Sequence, residues 1–132
     1  MRYLFAIFLF AHGMIHALWL VPPPGRTSGQ PWPFTLATSP VLSPLGMTEA
    51  ALRPLGAGLV AVVILAFTLS ALGAAGVPGL VSAWTAITLF ASVASVILTI
   101  VFWNPQLPIG LLIDVALIVT ILGQWWPTTL VK

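Results

Sequence analysis

The sequence predicts an all-α integral membrane protein: four spans running antiparallel, up and down, in one bundle with both termini on the same side. Three observations carry this expectation. First, 60% of the 132 residues are hydrophobic and 5% are charged, with a mean hydropathy of +1.14. A soluble domain carries roughly 25% charged residues. Second, apolar stretches recur at about 3–21, 50–72, 79–102 and 109–125. About 20 residues at 1.5 Å each cover a hydrocarbon core of about 30 Å. Third, the separators are rich in Pro and Gly, and no long-period repeat runs through the chain. The whole reads as a single domain.

Composition also excludes. There is no cysteine, so disulfides, thiolate metal sites, iron–sulfur clusters and cysteine nucleophiles are absent. The net charge of +2 comes from scattered groups. No basic run suits phosphate contacts, and no nucleic-acid partner is expected.

The first span follows a short basic start, Met1-Arg2. A cleaved signal peptide would share that start and an apolar core. His12 and His16 interrupt this core, and no A-x-A-like site precedes Pro22, so an uncleaved helix is expected. Pro22-Pro23-Pro24 ends it, because proline lacks the N–H that continuation needs. The linker over 22–48 contains Pro31, Pro33, Pro40 and Pro44 and is semi-rigid rather than a loose tether. Trp32 and Phe34 suit the headgroup level. The expectation is a loop lying on the membrane surface, with a lid over a site as the alternative.

Thr48 reads as the N-cap of the second span, with Glu49 in its first turn. Glu49 and Arg53 stand four apart in the favourable order for an ion pair. Pro54 either kinks this helix or sits at the first position of a helix that begins near Arg53. Ala66, Ser70 and Ala74 form a stripe of small residues suited to close helix contact. Gly73 to Pro78 makes a turn. In the third span Trp84, Thr88, Ala91, Ser95 and Thr99 share one face, read as a packing face rather than a polar channel. Trp103 to Pro108 is a tight turn with an interfacial Trp. The fourth span carries Asp114, the one acid within an apolar stretch, and ends at Gln124-Trp125-Trp126-Pro127.

His12 and His16, four apart, lie on one helix face. His16 stands about five residues from the end of span one and Asp114 about five residues into span four. Both are thus roughly 8 Å below the same boundary. Arg53 stands at that boundary with a long side chain that reaches inward. The sequence therefore predicts a polar network of Glu49, Arg53 and Asp114, with Arg53 paired to Asp114. Both histidines are expected to face the bundle interior.

Three roles compete for this cluster. One is a structural network that fixes helix packing. Another is a ligand site, with His12 and His16 binding haem or a quinone, or a metal ion held by His12, His16 and Asp114. The third is a proton relay. No G-x-S-x-G, H-E-x-x-H or catalytic triad is present, and no catalytic residue is assigned.

His12-Gly13-Met14-Ile15-His16, Leu52-Arg53-Pro54-Leu55-Gly56 and Phe102-Trp103, in this order, resemble a group of small bacterial four-span membrane proteins. These are similar in size and span count to DoxX-like proteins. The resemblance implies fold and location only.

The function expected is that of a non-catalytic accessory or assembly subunit of a larger membrane complex. Its partners would be the bilayer, bound lipid and other membrane subunits. The alternative is a stand-alone protein that binds haem, metal or quinone, or a small transporter. The expected location is the bacterial inner membrane. Arg2 and Lys132 flank one side, Arg26 and Arg53 the other, so charge barely separates the two. With Arg26 inside the proline-rich loop and Arg53 engaged in pairing, the termini are expected on the cytoplasmic side.

Overall fold

A computed structural model describes residues 1–22 and 32–125. These are helical, without strands, and comprise α1 (Arg2–Ile15), α2 (Glu49–Ala75), α3 (Trp84–Val101) and α4 (Pro108–Leu122). A 3-10 turn over His16–Leu20 extends α1, and another over Ser43–Leu45 precedes α2. Three helical stretches, Arg2–Leu20, Glu49–Ala75 and Trp84–Val101, are long and apolar enough to cross a membrane. α4 is equally apolar but has 15 residues, about 22 Å at 1.5 Å per residue.

The change from α to 3-10 geometry in the first stretch has a local cause. The His16 ring donates from Nδ1 to the His12 carbonyl at 3.2 Å. In an α-helix that acceptor belongs to the His16 amide, which here turns to the Gly13 carbonyl. The side chain competes with its own backbone and tightens the turn.

α2 begins at Glu49 behind Thr48 and keeps Pro54 inside the helix. It buries Leu52, Gly56, Val60, Val63, Phe67, Ser70 and Ala74, one face at steps of three and four. It ends at Gly76, whose N–H bonds the Gly73 carbonyl while Val77 reaches back to Leu72. Residues 77–83 form successive turns closed by Leu80 and Val81 to Val77 and by Ala83 to Leu80. The third helix therefore starts at Trp84 instead of near residue 79. Its expected face is buried throughout, Trp84, Thr88, Ala91, Ser95 and Thr99 included. Ser70 and Thr88 share a hydroxyl hydrogen bond across α2 and α3.

α1 packs on α2, α2 on α3 and α3 on α4. The Arg2 guanidinium lies against Gly76. Trp19 meets Phe102 edge-on, with ring centroids 6.0 Å apart. At Gly56, a Cβ would fall 2.5 Å from Leu36 and 2.9 Å from Phe102, so glycine there admits both side chains.

Leu36 is thus a core residue, and residues 32–47 pack in part against the bundle. Phe34 packs edge-on against Trp19 with centroids 5.6 Å apart. The buried Ser39 hydroxyl donates to the Val101 carbonyl and accepts the Leu42 N–H at 3.0 Å. Apolar contact and a satisfied backbone acceptor draw this segment onto the bundle. The part of the linker over 23–31, with Pro23, Pro24, Arg26 and Pro31, lies outside the described residues, as do Trp126, Pro127 and Lys132.

Candidate functional site

Four side chains from three helical stretches meet inside the bundle. His12 and His16 come from the first, Ser95 from α3 and Asp114 from α4. Their exposures are 4%, 6%, 0% and 0%. His12 Nε2 stands 2.9 Å from Asp114 Oδ1. The Ser95 hydroxyl lies 2.5 Å from Asp114 Oδ2 and 2.8 Å from His16 Nε2. With the His16 Nδ1 bond to the His12 carbonyl, the contacts close a loop: His12, Asp114, Ser95, His16 and back to His12.

Helix spacing explains why this loop forms. The two histidines are one turn apart, so their rings reach two neighbouring partners on the facing helices. Ser95 stands six residues before the end of α3 and Asp114 six residues after the start of α4. Both are roughly 9 Å from their helix ends.

α2 supplies an apolar wall. Phe67 meets the His12 ring edge-on at 4.9 Å between centroids and stacks with the His16 ring at 6.4 Å. Gly13 makes this approach feasible: a Cβ there would sit 2.5 Å from Phe67 Cβ. Gly13 lies between the two histidines, and the three form the face that meets α2. The ring of Phe8 stacks over His12 at 6.1 Å.

Arg53 is not part of the cluster. Its side chain is 63% exposed and pairs with Glu49, 56% exposed, at 2.6 Å. The expected Arg53–Asp114 pair is therefore corrected, and so is a single network joining Glu49, Arg53 and Asp114. The reason is angular: Leu52 and Gly56 hold the inward face of α2, and Arg53 is turned about 100° from Leu52. His12 and the neutral hydroxyl of Ser95 take the place expected for the guanidinium.

Nor do His12, His16 and Asp114 surround a common point. Among the described residues, no group of three or more His, Cys, Asp or Glu is arranged to hold a metal ion. Both Nε2 atoms and both carboxylate oxygens are turned to one another or to Ser95. A haem iron or quinone carbonyl would have to displace one of these bonds to reach an Nε2 atom.

Ser95 is the member that sequence reasoning placed only on a packing face. Its signal was depth: it is a hydroxyl at the level of Asp114 on the adjoining helix. Chemically, the cluster ties the first helical stretch and α3 to α4 through buried polar contacts. Compared with known protein families, curated proteins and solved structures, the chain matches none.

Proposed function

We propose that this chain is a non-catalytic integral membrane protein, a four-span antiparallel bundle serving as an accessory or assembly subunit of a larger membrane complex. The observation that carries this reading is the closure of the polar cluster. Both Nε2 atoms, the Ser95 hydroxyl and both Asp114 oxygens are engaged within the cluster and all four side chains are buried, so none of these atoms is presented to a substrate. What the molecule presents outward is apolar. Leu4, Ile7, Leu65, Phe90, Ile109 and Leu112 are all more than half exposed. Such side chains suit lipid and the helices of other subunits.

Several contacts support the antiparallel arrangement. Arg2 at the start of α1 meets the end of α2. Trp19 after α1 and Gly56 near the start of α2 both meet Phe102 at the end of α3. α4 spans by local thinning of the bilayer around a short helix. An apolar groove between α2 and α3, lined by Leu65, Leu69, Ile87 and Phe90, suits an acyl chain of a bound lipid. The resemblance of the motif order to small bacterial four-span proteins supports the bacterial inner membrane, and the pairing of Arg53 with Glu49 supports termini in the cytoplasm.

Native mass spectrometry of the chain released from its own membrane in lipid nanodiscs tests this reading. The expected result is a fixed assembly heavier than the 14.0 kDa chain that contains other membrane subunits. A lone chain with a Soret band or stoichiometric metal would instead establish the stand-alone cofactor protein.

A further inference from the structure

The hydrogen bonds of the cluster fix its proton count. A backbone carbonyl only accepts, so the contact at 3.2 Å to the His12 carbonyl places a proton on His16 Nδ1. Ser95 has one hydroxyl proton and two short contacts, to Asp114 Oδ2 and to His16 Nε2. If Ser95 donates to Asp114, then Nε2 must donate to Ser95, and His16 is an imidazolium beside a carboxylate. If Ser95 donates to His16, then Oδ2 must donate to Ser95, and Asp114 is a carboxylic acid beside a neutral imidazole. In both cases His12 Nε2–H donates to Oδ1 at 2.9 Å. Four contacts take four protons. An ionised Asp114, a serine and two neutral imidazoles supply three, which would leave two lone pairs facing each other without water.

We propose that His12, Asp114, Ser95 and His16 form a proton-binding site that holds one proton beyond an ionised carboxylate and two neutral imidazoles. Ser95 passes charge between its two ends. The step is balanced. The His16 Nε2–H bond breaks as a new Ser95 O–H bond forms, and the original Ser95 O–H bond breaks as Asp114 Oδ2–H forms. Two protons each cross one hydrogen bond, and the imidazolium–carboxylate pair becomes two neutral groups. The cluster is uncharged in both forms, as a site with little water around it demands.

Among the described residues, no other ionisable group is hydrogen-bonded to the cluster; Arg2 and Tyr3 of α1 are bonded to each other. α2 faces the cluster with Phe67, and its Glu49 and Arg53 are exposed and paired to each other. α3 carries no charged residue, and α4 carries only Asp114. The inference rests on the geometry of the cluster and not on the subunit reading, because a chain that runs alone would hold the same proton.

The sequence favours the test. Asp114 is the single aspartate and there are two histidines. Protein labelled with 13C at the aspartate carboxyl and 15N in the histidine rings is reconstituted in lipid and examined by solid-state NMR at neutral pH. The expected spectra show a protonated carboxyl with two singly protonated rings, a carboxylate with one doubly protonated ring, or exchange between them. A carboxylate beside two singly protonated rings overturns the proposal. In Ser95→Ala, folding verified by circular dichroism, the carboxyl and His16 ring signals should leave the wild-type protonation pattern at neutral pH, whereas Ser95→Thr keeps it. The wild-type pattern retained in Ser95→Ala would remove Ser95 from the path.

Discussion

Replacing Asp114 by asparagine and by leucine separates two accounts of what this residue does. If Asp114 acts as a charge, removing the charge is costly whatever replaces it. If the cluster is a set of four hydrogen bonds with no net charge, asparagine reproduces it. The Asn carbonyl accepts from His12 Nε2–H at the Oδ1 position, 2.9 Å away. Its NH2 donates to Ser95, whose hydroxyl then donates to His16 Nε2 across 2.8 Å. Every contact keeps one proton. Leucine has similar bulk but removes both acceptors, leaving the His12 ring without its bond to α4 and the Ser95 oxygen without one of its two partners. Side-chain hydrogen bonds between membrane helices are worth about 0.6 kcal/mol on average and up to about 1.7. Two of them make the leucine variant less stable by about 1–3 kcal/mol. The asparagine variant should lose less than about 1 kcal/mol. Unfolding in mixed micelles with rising SDS, followed by fluorescence of the buried Trp19 and Trp84, gives both values. Equal losses in the two variants would refute the hydrogen-bond account.

Three further expectations concern the packing around the cluster. Gly13→Ala should destabilise by about 1–3 kcal/mol, as overpacking does, because its Cβ would stand 2.5 Å from Phe67 Cβ; Gly58→Ala, with nothing within 4 Å, should be neutral or slightly stabilising in the same SDS titration. Arg53→Gln should change stability by no more than about 0.5 kcal/mol, since an exposed i,i+4 pair is worth little; a double-mutant cycle with Asp114→Asn should give no coupling, and a coupling above about 1 kcal/mol, twice the exposed-pair value, would restore a contact between them. Ser39→Ala should cost about 1 kcal/mol and speed hydrogen exchange at the Leu42 amide, which the Ser39 hydroxyl accepts; unchanged exchange there would show that Leu36 alone anchors the segment.

Much of this fold was legible because the signals were strong and local. Apolar stretches and prolines marked the helices, and the steps of Trp84, Thr88, Ala91, Ser95 and Thr99 marked a buried face. The convergence of His12, His16 and Asp114 followed from depth alone, which is a one-dimensional measure. Depth does not give the angle around a helix, and Arg53 was misplaced for that reason: right level, wrong face. The same limit kept Ser95 among packing residues. The seating of Leu36 was illegible for another reason. It depends on the space left by Gly56 beside Phe102, a contact between distant segments that no local pattern encodes. The 3-10 turn at His16 likewise follows from where its ring points, and the ring direction is set by Ser95.

The contact between His12 and Asp114 is the joint on which this account depends, since it links the first helical stretch to the last. Dipolar recoupling between 15Nε2 of His12 and the 13C carboxyl of Asp114, in protein reconstituted in lipid, measures that contact directly. The account predicts strong dephasing, as expected for a nitrogen 2.9 Å from a carboxylate oxygen, and none between that carboxyl and the 15N guanidinium of Arg53. Dephasing from Arg53 with none from His12 would contradict it.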